Sequence, residues 1–84
     1  MTLGASMLEI HSVSDIAVSI REERRRQRIR QQDLADLANV SCRFLSDLEN
    51  AKPSVELSKV LAVLAALGLD LQILTRGQKG TPHV

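Results

Sequence analysis

Among the side chains that could do chemistry, the cations are the ones that cluster. Six of the eleven Lys and Arg residues (Arg21, Arg24, Arg25, Arg26, Arg28 and Arg30) fall within residues 21–30. The net charge is only +1, so it is the clustering that matters: a local basic patch is the electrostatic footprint of a nucleic-acid binder. The competing reading is a solvated helix face whose arginines pair with Glu22 and Glu23. Catalytic groupings are missing. His11 and His83 stand near opposite termini, and Cys42 has no base near it. There is no glycine-rich phosphate loop, metal-ligand spacing or pair of catalytic acids, so no enzyme activity, metal or other cofactor is expected.

The elements that must position these cations follow from composition and pattern. Eighty-four residues, 44% of them hydrophobic and only one aromatic, make one small core of Leu, Ile, Val and Ala, which suits packed helices. So small a core is marginal alone, and a partner subunit is expected. A single cysteine excludes an internal disulfide and is consistent with a reducing compartment. No apolar run approaches the roughly 20 residues that cross a bilayer, and no secretory signal opens the chain. The expectation is a cytoplasmic, soluble protein with no membrane contact.

Along the chain, residues 1–12 read as a flexible arm, residues 13–74 as the folded domain and residues 75–84 as a disordered tail. Met7 is a second candidate start of translation. Ser12 or Ser14 can cap the first helix, with Asp15 favourable in its first turn and Ile16, Ala17 and Ile20 as its apolar stripe. That helix is expected to end near Gln27 or Arg28. A short second helix spans 31–38, with Leu34, Ala35, Leu37 and Ala38 turned inward. Asn39 tolerates the left-handed conformation and can end it, and Ser41 can cap a third helix from Cys42 to Glu49 that buries Phe44, Leu45 and Leu48. Pro53 breaks the chain, and Ser54 caps a fourth helix carrying Val55, Leu57, Val60, Leu61, Val63, Leu64 and Leu67. Gly68 stops it. Residues 69–74 then alternate apolar and polar, the pattern of a half-buried strand.

Two short helices joined by a three-residue turn form a helix-turn-helix unit. Their close crossing needs small inner residues, met by Ala35 and Ala38. The turn needs a residue able to take positive φ, met by Asn39. Leu34, Val40, Leu45 and Leu48 stand where apolar side chains must lock the second helix against the first.

The segment QQDLADLANVSCRFLSDLENAKPS resembles the Cro/repressor-type (Xre) helix-turn-helix family. The resemblance is carried by Gln31, Leu34, Ala35, Val40, Ser41, Leu45, Ser46, Glu49, Lys52 and Pro53, and it extends from about Asp15 to Gly68. Within the family, the continuation AALGLDLQIL is most similar to HipB-like antitoxins of type II toxin–antitoxin systems. Three residues depart from the pattern: Arg28 and Asn39 stand where the family usually has Gly, and Arg30 replaces the usual Thr or Ser cap.

This resemblance implies an all-α domain of four to five helices, with a C-terminal β-strand that pairs across a homodimer. It implies double-stranded DNA as a partner, with an inverted-repeat operator, and a HipA-like kinase toxin as a second. Base-contacting roles fall to Cys42, Arg43, Ser46 and Asp47. Arg43 is the strongest candidate, because a guanidinium bonds bidentately to guanine. Asp47 is better suited to orienting Arg43 at i, i+4 than to meeting DNA itself. Phosphate contacts fall to Arg30, Gln31, Ser41, Asn50 and Lys52. The Arg24–Arg28 run could face DNA or an acidic patch on the toxin. A lone strand is unstable, so Leu69, Leu71, Ile73 and Leu74 are expected at a dimer interface; pairing with Leu8–Ile10 of the arm is the alternative. The implied function is an antitoxin that represses its own operon. The alternatives are a stand-alone or phage-type regulator, and an interaction module that has kept the fold without DNA binding.

Overall fold

The amide of Asp15 donates to Ser12 Oγ at 3.2 Å, while Asp15 Oδ2 accepts from the amide of His11 at 2.7 Å. This reciprocal cap fixes the start of the first helix. The computed structural model describes residues 9–53 and 55–76. It contains α1 (Val13–Arg26), α2 (Gln31–Ala38), α3 (Cys42–Glu49) and α4 (Leu57–Leu67). No strand occurs among the described residues, so the domain is all-α with four helices. Most of the arm and of the tail lie outside the described residues.

All four helices end in the same way. After α1 the amide of Arg28 donates to Arg25 O and that of Ile29 to Arg24 O; after α2, Asn39 donates to Asp36 O and Val40 to Ala35 O. Ala51 and Lys52 repeat the pattern after α3, and Gly68 and Leu69 after α4. Each pair forms a Schellman motif, which needs a left-handed residue in its first position. Those residues are Arg28 (φ 59°), Asn39 (φ 58°), Ala51 (φ 60°) and Gly68 (φ 78°). Only the last is a glycine. The residue that follows is apolar in three of the four cases, and Ile29, Val40 and Leu69 pack against the core.

The core draws on every helix: Ile20 from α1, Leu34, Ala35 and Ala38 from α2, Leu45 and Leu48 from α3, and Val60, Val63, Leu64 and Leu67 from α4. Ala35 and Ala38 let α2 approach its neighbours closely. Gln27, at the end of α1, donates its side-chain amide to Leu67 O at 2.8 Å and so joins the C-terminal ends of α1 and α4.

Several expectations need correction. Leu37 is 66% exposed, because α2 has only two turns and its inward stripe is filled by Leu34, Ala35 and Ala38. The fourth helix begins at Leu57 with Glu56 at its N-cap and no side-chain cap bond; Ser54, expected to cap it, lies outside the described residues. Leu57 and Leu61 are exposed on the outer side of α4. Among the described residues, 69–74 form no strand and Ile10 does not pair with them, while Leu8 lies outside the described residues; pairing with a second copy is a property of two chains.

Leu34→Ala should cost about 2–5 kcal/mol, because it opens a cavity at a wholly buried site. Leu37→Ala should change stability by no more than about 0.5 kcal/mol. Urea unfolding of both variants checks the contrast, and equal losses would place Leu37 in the core after all.

Candidate nucleic-acid interface

The bend between α2 and α3 is set by Asn39, and the first turn of α3 by Ser41, whose Oγ accepts from the amide of Phe44 at 2.9 Å. The Ser41 hydroxyl proton is not used by this cap and remains free to donate outward. Leu45 and Leu48 are fully buried and hold α3 against the core. The opposite side of α3 therefore faces solvent. It presents exposed Ser41, Cys42 and Arg43, with Ser46 and Asp47 half-buried behind them.

Arg43 is the most outstretched of these, its side chain 86% exposed. Its Nε lies 4.0 Å from Asp47 Oδ2, and Lys52 Nζ lies 3.9 Å from Asp47 Oδ1. One carboxylate thus sits between two cations that project from the same surface. Asn50, exposed, terminates α3 beside them. At the start of α2, exposed Arg30 occupies the N-cap without a side-chain cap bond and pairs instead with Asp33 at 3.1 Å. That carboxylate raises the already high pKa of the Arg30 guanidinium, chiefly by hydrogen bonding.

Behind this surface lies a polar cluster that sequence reasoning left without a role. Glu49, only 3% exposed, accepts from Arg24 Nε at 2.7 Å and from Arg24 Nη2 at 3.0 Å. Its Oε1 also accepts from Gln31 Nε2 at 3.1 Å, and its backbone carbonyl from Arg21 Nη1 at 3.1 Å. The Arg24 Nη1 donates further to Ile29 O at 2.9 Å, in the corner between α1 and α2. The Glu49 carboxylate raises the pKa of the Arg24 guanidinium, again mainly through hydrogen bonding. Gln31, expected at phosphate, thus turns one amide hydrogen inward and keeps the other.

The arginine run is divided by this geometry. Arg21 and Arg24 are structural, and Arg24, which sequence reasoning kept among residues facing DNA or a protein, is 13% exposed and occupied by Glu49. Arg26 pairs with Glu23, and that bond, with the Gln27 amide, holds the Glu23 carboxyl below the usual carboxylate range. Among the described residues, no arginine pairs with Glu22. Arg25 and Arg28 are exposed. The adjacency of Glu49 to Arg24 could not be read from a separation of 25 residues; the only available signal was Glu49's place in the family pattern.

Beyond Gly68, Leu69 packs on the core, whereas Leu71, Ile73 and Leu74 are exposed, Ile73 to 95%. Leu61, Ala65, Leu69 and Leu71 line one open groove, which makes the outer side of α4 continuous with this segment. No cluster of metal-ligating side chains occurs among the described residues, and no helix there is long and apolar enough to cross a membrane.

Residues 20–74 match the family model described as helix-turn-helix. The chain is 41% identical over 70 residues to an uncharacterized HTH-type transcriptional regulator, y4mF, of Sinorhizobium fredii, across 83% of this chain and 92% of the relative. Among solved structures it is similar to a chain of a HipA–HipB–O2–O3 complex, with a TM-score of 0.77 and 20% identity over 83% of this chain and 99% of that one. A HipB variant in complex with an O2 20mer gives a TM-score of 0.78 and 21% identity over 84% and 99%.

Arg24→Met should cost about 3–5 kcal/mol, since it leaves a buried carboxylate without its main partner. Adding Glu49→Leu should recover most of that loss. Urea unfolding of both single variants and the double variant closes the cycle, and simple additivity would mean that the pair is not coupled.

Proposed function

Because the chain belongs to the helix-turn-helix family of DNA-binding transcriptional regulators and has a HipB-like fold, we propose that it is a dimeric repressor that serves as the antitoxin of a HipA-like kinase toxin and represses its own operon. The observation that carries the DNA-binding half is the outward side of α3, held rigid by Leu45, Leu48 and Glu49 and left free of intramolecular packing at Ser41, Cys42 and Arg43. A helix presented in this way enters the major groove with its N-terminal residues toward base edges. Arg43 reads a guanine, with Cys42, Ser46 and Asp47 beside it and Asp47 steering the guanidinium. Ser41, Gln31, Arg30, Asn50 and Lys52 hold phosphates on either side.

Dimerisation rests on exposed apolar surface. Leu57 and Leu61 on α4, together with Leu71, Ile73 and Leu74, are too many large apolar side chains to leave in water on so small a protein. Antiparallel pairing of residues 69–74 with the same segment of a second copy covers them about a two-fold axis, and the operator is then an inverted repeat. The toxin partnership is supported by likeness to chains of HipB structures over 99% of those chains, one of them in a complex with HipA. The relative y4mF, named simply as a transcriptional regulator, favours the second reading of a stand-alone regulator.

With three or four of these five phosphate-holding residues at phosphate in each subunit, log K for duplex DNA should fall against log salt with a slope of about −5 to −7. A flat response would remove the DNA-binding reading. Arg43→Ala should relax base preference at one position of each half-site, whereas Lys52→Ala should weaken all sequences alike; the same outcome for both would dissolve the distinction. Light scattering at micromolar concentration should report a dimer, and a stable monomer would refute the pairing. Co-purification with the product of an adjacent kinase-like gene separates antitoxin from stand-alone regulator.

A further inference from the structure

The arginines at the end of α1 divide into those with partners and those without. Arg21 and Arg24 reach across to Glu49, and Arg26 and Arg30 are held by Glu23 and Asp33. Arg25 and Arg28 are exposed, and neither pairs with a carboxylate among the described residues. The acids that would neutralise a solvated face are already taken by other arginines or lie elsewhere. Glu22 and Glu23 line a groove with Ile16, Ser19 and Leu71, on the side of α1 toward the C-terminal segment. Arg25 follows Arg21 by four residues, which carries it toward the side of α1 that meets α3, and Arg28 stands two residues past the helix, in the turn that leads to α2.

Their backbone is fixed. The amide of Arg28 donates to Arg25 O at 3.0 Å, and the next residue, Ile29, is gripped from both sides through Arg24. Two residues later the chain starts α2 at Gln31, which the same Glu49 carboxylate holds. Arg28 also takes a left-handed φ of 59°, a conformation that disfavours a large side chain and that the family pattern fills with Gly. A residue kept there against its backbone preference is a candidate for function.

We infer that Arg25 and Arg28 form a phosphate-binding track that extends the DNA contact of α2 back along the end of α1, outside the segment read by α3. The inference rests on the DNA-binding reading above. DNA is favoured over an acidic protein surface because both arginines are built onto the corner that positions Gln31, so a duplex held there continues onto them. Each guanidinium takes one phosphate oxygen pair through its planar fork, without reading sequence.

The test uses the full chain and a mixed-sequence duplex of about 40 base pairs, with affinity measured from 50 to 200 mM salt. Four contacts per dimer are removed in the double variant Arg25→Ala, Arg28→Gly, so its log K–log salt slope should be shallower by about 3–4. Its affinity at 100 mM salt should fall at least tenfold. Glycine suits the left-handed position, so the variant should melt no lower than the parent, which excludes unfolding as the cause. Arg26→Ala removes a cation already held by Glu23 and should leave the slope within one unit of the parent. A double variant with the parental slope overturns the inference, and loss of a kinase-like partner by that same variant would assign the track to protein. A parent that shows no salt-dependent binding overturns the DNA-binding reading itself, and this inference with it.

Discussion

Three helices meet at one buried carboxylate. Glu49 ends α3, accepts from one edge of the Arg24 guanidinium of α1, through Nε and Nη2, and accepts from the side-chain amide of Gln31, the first residue of α2. Burying that charge is tolerable because both of its oxygens accept hydrogen bonds, and no buried side-chain nitrogen or oxygen among the described residues lacks a partner. Apolar side chains of equal volume could match the stability of such a pair. They could not supply three directional bonds at once. The angle between α2 and α3, and hence the direction in which Ser41–Asp47 points, depends on those bonds.

Around this fixed point the chain turns with a single repeated device. Each helix closes in a left-handed residue followed by a side chain that in three cases packs inward, so connections of four residues or fewer separate the first three helices. Short corners leave little freedom in how the helices sit. They also place non-glycine residues, Arg28, Asn39 and Ala51, where each costs roughly 1–2 kcal/mol of backbone strain, with less for Asn. The core and the Glu49 cluster offset that strain.

What could be read from the sequence follows the range of the interactions. α2 and α3 were readable to the residue because their signals are local: Asn39 as a terminator, Ser41 as a cap, Ala35 and Ala38 at a close crossing. Leu37 was misread because periodicity marks a stripe but not its width. The start of α4 was misplaced because Ser54 is a better cap by type than Glu56, and type is all a sequence offers. Arg24 carried the same letter as Arg25, and only the fold separates a buried strut from a free cation. The left-handed turn at Ala51 gave no local sign at all. The strand at residues 69–74 was read from alternation, and alternation cannot say whether a partner lies within the chain.

That last segment has a consequence of its own. Three carbonyls at the end of α4, those of Ala65, Leu64 and Leu67, are already taken by Gly68, Leu69 and Gln27. Past Leu69, residues 70–76 make no backbone hydrogen bond among the described residues. An unpaired edge with Ile73 fully in water is adhesive, and its backbone does not discriminate between a twin and an unrelated strand. Asp70 and Arg76 bracket it with opposite charges, which discourages stacking of identical copies in parallel register.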